Sequence, residues 1–288
     1  MAINKNSNIY QIVYAAVMVV IVGALLAGIY MALKPQQDLN KANDKRKQIL
    51  SAIHVQGLSD AEVEGTFKKY ITEGFMVDEQ GNKVEGQSLD AAFDVDMKKN
   101  LKSDKRQLPV FVAEVDGEKK YIVPVYGAGL WGPIWGYVAV NNDGESIYGA
   151  YFSHEGETPG LGAEIEKPEF QKQFNEKKIY MDGEFKSIGV MKAGQKPTNG
   201  AEYVNAISGG TITSRGVQTM LEDCLKPYDP FFVKLQGGNG DKADTCHAKA
   251  DDCDKNDDCD KKKCDNQPDK AKAEPAACGM PDPEAANN

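Results

Sequence analysis

A long run of uncharged residues sets the first limit on this chain. Nothing between Lys5 and Lys34 carries a charge, and most residues there are Val, Ile, Leu, Ala, Met or Tyr. A helix rises about 1.5 Å per residue, so about 20 apolar residues cross a hydrocarbon core of about 30 Å. Residues 9–33 are therefore predicted to form a transmembrane helix behind a short N-terminal segment, 1–8. Tyr10, Tyr14 and Tyr30 lie towards the ends of the run, where amphipathic rings favour the headgroup level. A cleaved signal peptide would have a shorter apolar core and a small-residue cleavage site. Lys34-Pro35-Gln36-Gln37 offers no such site, so the span is expected to be retained.

Beyond the span the pattern changes twice. Residues 34–107 begin with a polar stretch, DLNKANDKRKQILSA, which reads as a juxtamembrane helix leading into a mixed α/β region. Strand signals dominate from 108. Residues 110–115 and 120–126 flank the turn Asp116-Gly117, and residues 134–140 and 147–152 flank a turn at 141–144, which predicts two antiparallel hairpins. A short helix is expected over 168–177, with Pro168 in its first turn, and a strand over 185–191. Residues 108–236 are read as one domain. Residues 237–288 lose nearly all large apolar side chains and are expected to be a disordered tail rich in Cys, Asp and Lys. With 34 basic against 43 acidic residues the chain is acidic and has no long basic run, which argues against nucleic acid as a partner.

The stretch NAISGGTITSRGVQ, residues 205–218, carries the most chemistry. Gly209 and Gly210 let the backbone approach a ligand closely. Thr211, Thr213 and Ser214 stand at the start of a helix expected from about Ser214 to Leu225, where free N–H groups favour an anion. On these residues alone the stretch is either a phosphate seat with a nucleophilic hydroxyl or a glycine-rich turn with an ordinary N-cap. The run YGAGLWGPIWGY, residues 126–137, contains G-x-G-x-x-G. Pro133 and a β-rich segment follow it in place of a helix, so it fails as a dinucleotide site. No G-x-S-x-G, H-E-x-x-H or Walker A motif is present, and no catalytic residue is assigned.

Ser208-Gly209-Gly210-Thr211 resembles the S-G-A-T flavinylation motif of the FMN-binding domain family, with Gly210 for Ala and Asn205 where an Asp is usual. The YGAGLWGPIWGY block and His154-Glu155-Gly156-Glu157-Thr158-Pro159-Gly160-Leu161-Gly162-Ala163 resemble segments of one branch of that family. This branch comprises the C subunits of the Na⁺-translocating NADH:quinone oxidoreductases (Na⁺-NQR). Their relatives, the G subunits of the Rnf complexes, share the blocks, and the polar helix after the span favours the first.

The resemblance implies an α+β fold: one transmembrane helix, then an extracytoplasmic FMN-binding domain with a mainly antiparallel sheet and flanking helices. It implies an FMN joined by a phosphoester to Thr211, with Ser208, Gly209, Gly210, Thr213 and Ser214 around the phosphate. Glu157, Thr158, Leu161, Gly162 and Lys192 are the implied ring contacts, Leu161 covering a face, Glu157 and Thr158 meeting polar edges, and Lys192 offsetting negative charge. His154 is read as structural. The implied role is relay of single electrons between partner subunits, which carry out NADH oxidation, Na⁺ movement and quinone reduction. A separate flavin transferase using FAD and Mg²⁺ is the implied source of the linkage.

The implied location is the periplasmic side of a bacterial inner membrane. Lys34, Lys41, Lys45, Arg46 and Lys47 after the span against Lys5 before it would by themselves place the body in the cytoplasm. Partner subunits and a long folded domain override such a bias, and the periplasmic placement is taken. Five of six cysteines fall in the tail without paired C-x₂-C spacing. No metal site is assigned there, although a membrane-anchored metal-capturing module is the rival reading. Cys224 is read as a small packed residue.

Overall fold

A computed structural model describes residues 8–103 and 105–238. The expectations for most of segment 1–8 and for nearly all of the tail fall outside these residues.

Helix α1 (Asn8–Ser51) is continuous over 44 residues, so the apolar run and the polar stretch form one helix where two pieces were expected. It is long and apolar enough to cross a bilayer, and apart from the half-buried Tyr10 its apolar stretch is exposed. Pro35 lies within it without ending it; the only intrahelical bond its missing N–H forfeits is the one to Met31. The far end of α1 and the turn after it are buried: Ile49, Leu50, Ala52 and Ile53 are almost fully enclosed. Helix α2 (Asp60–Tyr70) follows, opened by a capping box between Ser59 and Glu62. It leads into strand β1 (Ile71–Val77) and two short helices, α3 (Leu89–Asp94) and α4 (Met97–Asn100).

Strands β2 (Leu108–Val115), β3 (Glu118–Ala128), β4 (Pro133–Asn141) and β5 (Ile147–His154) complete an antiparallel sheet of order β1-β2-β3-β4-β5. Both expected hairpins are present. Asp116 and Gly117 have φ of 54° and 80°, the pair of positive values a two-residue type I′ turn requires. Gly129 to Gly132 form the tip between β3 and β4, closed by the Gly129 N–H donating to the Gly132 carbonyl at 2.8 Å.

Both faces of the sheet are covered, and alternate residues serve opposite layers. Val110, Val112, Tyr121, Val123 and Val125 face the C-terminal helices. Phe111, Ala113 and Ile122 face the end of α1 with Val63 and Phe67 of α2. A double-sided core explains why these strands read as nearly unbroken apolar runs.

The chain then forms a 3₁₀ turn (Gly162–Glu166), helix α5 (Pro168–Gln171) and a second 3₁₀ turn (Lys172–Phe174). The helix expected over 168–177 is thus split and shorter. The strand expected over 185–191 is also broken. Strand β7 (Glu184–Phe185) pairs with β6 (Tyr180–Met181), and Ser187, at φ 56°, separates it from β8 (Gly189–Met191). Strand β8 pairs in parallel with β9 (Tyr203–Asn205). Helix α6 (Thr211–Leu225) packs across β3, and α7 (Asp229–Gln236) follows a third 3₁₀ turn. Helix α6 starts three residues earlier than expected, which makes Thr211 its first residue.

Candidate functional site

Three loops meet at the start of α6: the β3–β4 tip, the loop after β5, and the β9–α6 turn. Glu157 joins them. Its side chain is buried; one carboxylate oxygen accepts from the Thr213 hydroxyl at 2.6 Å and the other from the Trp131 N–H at 2.8 Å. The Glu157 N–H donates to His154 Nδ1 at 3.1 Å, which gives His154 the structural role expected of it. Burial pushes the Glu157 carboxyl upward, but the bonds from Thr213, Trp131 and Leu130 outweigh that and hold it below its usual value.

Glycines make the approach possible. A Cβ at Gly129 would lie 2.5 Å from a Glu157 carboxylate oxygen, and one at Gly162 would overlap both that carboxylate and the Thr213 hydroxyl. Within the G-x-G-x-x-G run, Gly129 gives clearance to the buried acid, while Gly127 gives clearance to Met220 of α6.

The three hydroxyl residues divide into two kinds. Thr213 and Ser214 are buried. Thr213 is committed to Glu157, and the Ser214 hydroxyl oxygen accepts from the Ile207 N–H at 3.0 Å. Thr211 is exposed, so it alone presents its side chain outward. The N-cap residue is Gly210, which supplies no side-chain acceptor. The first helical bond runs from the Ser214 N–H to the Gly210 carbonyl, and the N–H groups of Thr211, Ile212 and Thr213 precede it. An exposed hydroxyl thus sits on an uncapped helix N-terminus, an environment that favours a phosphate.

Of the residues expected around the phosphate, Ser208 and Gly209 lie beside Thr211 on the open side of the turn, while Gly210 is buried. Gly209 has φ 75°, and Leu161 lies against it: a Cβ there would sit 2.5 Å from Leu161 Cδ2. The Thr158 carbonyl accepts from the N–H groups of Leu161 and Ala163, each at 3.1 Å, which makes the loop a tight turn that sets Leu161 over the Ser-Gly-Gly-Thr segment. Thr158 itself is exposed. Glu157 does not point outward as a ring-edge ligand would; it faces the interior. Lys192 is exposed directly after β8, whose parallel pairing with β9 sets Met191 opposite Asn205.

Sequence reasoning missed Leu130, Trp131 and Ile212. With Leu161 they are large apolar side chains left between 41% and 69% exposed around these loops. Trp131 and Leu130 stand in a motif already singled out, so the signal was present; their exposure was not. Such a cluster on a folded domain indicates a ligand or partner surface.

The FMN-binding domain family matches residues 129–226. The C subunit of the Na⁺-translocating NADH-quinone reductase of Vibrio anguillarum is 30% identical over 254 residues, covering 82% of this chain and 98% of that protein. The chain belongs to this family of C subunits. Its counterpart in Pasteurella multocida is 31% identical over 74% of this chain and 89% of that one. Among solved structures, the C subunit of the Parabacteroides distasonis reductase is 52% identical with a TM-score of 0.64, covering 69% of this chain and 96% of its own.

FMN is the cofactor of this family's domain, and the site fits it on three counts. An anion-favouring helix start suits the phosphate, a free hydroxyl lies beside it, and exposed apolar side chains suit a flat ring. Among the described residues no group of three or more His, Cys, Asp or Glu could hold a metal ion. Cys224 is buried, with its thiol donating to the Tyr126 carbonyl at 3.4 Å, and burial pushes that thiol up to about 11. The tail cysteines fall outside the described residues.

Proposed function

We propose that this chain is the membrane-anchored electron carrier of a Na⁺-translocating NADH:quinone oxidoreductase, with FMN held by a phosphoester to Thr211. The observation that carries the proposal is that, of the three hydroxyls in the first turn of α6, Thr211 alone points outward on an uncapped helix start, while Thr213 and Ser214 are turned inward.

Residues of this chain then have distinct tasks. Thr211 supplies the oxygen of the linkage. The N–H groups of the first α6 turn stabilise the phosphate charge. Leu161, Leu130, Trp131 and Ile212 exclude water from the ring. Glu157, inside, fixes the two loops that carry the first three of these. Lys192, at the end of β8, contributes positive charge near the ring. The bound flavin supplies one-electron chemistry, and the protein sets its position and potential. A covalent tether suits a periplasmic location, where a dissociated flavin would be lost. Attachment is assigned to a separate transferase, and NADH, Na⁺ and quinone to other subunits.

A denaturing gel viewed under ultraviolet light tests the linkage. Protein made together with a flavin transferase should fluoresce, and Thr211→Ala should be dark. A fluorescent Thr211→Ala protein would refute the assignment. Proteolysis of spheroplasts tests the orientation: a periplasmic body is cut, and a protected one would reverse the topology.

A further inference from the structure

On the side of α6 reached from Ile212, an open cleft of about 680 Å³ begins at the flavin site. Its floor is apolar, with Tyr126, Met220 and Ile212, and its rim carries Lys98, Lys102 and Arg215. These three residues are exposed, and their charged side chains make no hydrogen bond or ion pair with any described residue. A fourth cation, Arg106, donates to the Asp223 backbone carbonyl at 3.4 Å, and among the described residues Asp223 is the sole acidic one of the lining. In a chain of formal charge −9, this sets four cations against one carboxylate at one place.

Three unpaired cations in one neighbourhood repel each other, and an apolar floor open to water costs free energy. Both are relieved by the same kind of occupant, one with carboxylates at its edges and apolar side chains between. A free anion would satisfy the rim and leave the floor wet. We propose that the cleft docks an acidic, apolar-centred segment of a partner subunit of the complex, beside the flavin, so that a single contact both steers the partner and shortens the path for the electron. This rests on the electron-carrier reading above. Opposite charge raises the encounter rate and orients the approach, and salt screens it. The groove is long enough to track towards the membrane: a second depression shares Lys98 and Tyr126 with it and reaches Lys41 and Asp44 on α1.

The test uses the intact complex purified through an affinity tag on this chain. Two triple variants are compared with wild type: Lys98→Glu/Lys102→Glu/Arg215→Glu and Lys98→Gln/Lys102→Gln/Arg215→Gln. NADH-driven reduction of the Thr211-linked flavin is followed at increasing NaCl, with flavin content read separately from the gel band. Charge reversal should slow reduction at least tenfold at low salt with an unchanged flavin band. The glutamine triple should lie between, and its rate should depend less on salt than that of wild type. Retention of the other subunits at rising NaCl is a second readout, which works even on protein without flavin, so failure of the flavin linkage and failure of docking are separable.

Wild-type rates and retention in both triples would overturn the proposal. So would loss of the flavin band in both, which would assign the cleft to flavin attachment. Binding of wild type to phosphatidylglycerol vesicles that the glutamate triple loses, with subunit retention unchanged, would assign it to lipid and overturn it too. Removal of residues 239–288 that reproduces the effect of the triples would overturn it in favour of the chain's own tail.

Discussion

Glu157 shows how a single residue changes meaning between sequence and structure. Its motif implied a group at the edge of a flavin ring, but its carboxylate holds the Thr213 hydroxyl and the Trp131 N–H inside the protein. Exchange for Gln keeps the volume and removes the charge. One of the two donors, the Thr213 hydroxyl or the Trp131 N–H, then meets an amide N–H₂ where it had an acceptor, and a hydrogen bond to a charged group is typically worth about 1.5–3 kcal/mol. Glu157→Gln should therefore lower stability by about 1–3 kcal/mol at pH 7, measured by urea unfolding. Because the folded carboxyl lies below its ordinary value of 4.5, its contribution is present in full above about that pH and is lost as pH falls through the folded value. Wild type and variant should thus converge in acid. A constant gap down to pH 2 would mean that the charge of Glu157 is not what stabilises this junction.

At the scale of elements, the contact of α6 with β3 decides where Thr211 sits. Gly216 lies at their closest approach, where a Cβ would overlap the Ala128 carbonyl oxygen. Gly65 in α2 has nothing within 4 Å of the corresponding position. Alanine in an open helix site gains up to about 1 kcal/mol over glycine, while overpacking costs about 1–3 kcal/mol. Gly65→Ala should raise the melting temperature and Gly216→Ala should lower it, with flavin content falling only in the second. Equal responses would remove the argument from close approach. The hairpins were legible because period-two apolar runs and an Asp-Gly turn are local signals. The strand expected at 185–191 was not, because Ser187 takes a positive φ that no residue near it in sequence announces. Likewise the start of α6 is hard to place from sequence: Gly210 at the N-cap offers no side chain to mark it.

For the whole molecule, the continuity of α1 matters most. Its last turn is built into the core by Ile49 and Leu50, and Trp135 Nε1 of β4 donates to Gln48 at 3.2 Å. Lys45 donates to the Phe93 and Val95 carbonyls, which fixes the same segment against α3. On the membrane-anchored reading proposed above, a helix joined in this way sets the height and the direction in which Thr211 faces. One residue inserted between Gln37 and Asp38 would turn the domain by about 100° and raise it by about 1.5 Å. It should leave flavin content and domain stability unchanged and lower NADH-driven flavin reduction in the complex several-fold. A four-residue insertion, back within about 40° of the original direction, should lose less. Equal activity for both would show that the helix acts as a loose tether.

The apolar run, the hairpins, the three motifs and the acidic balance could be read from the order of residues, because each depends on neighbours along the chain. What holds Thr213 and Ser214 inward, why Glu157 turns inward, and how Leu130, Trp131, Leu161 and Ile212 gather at one edge could not. Those outcomes follow from segments distant in sequence sharing one small volume, where a buried carboxylate and the glycines packed around it leave space for a single arrangement.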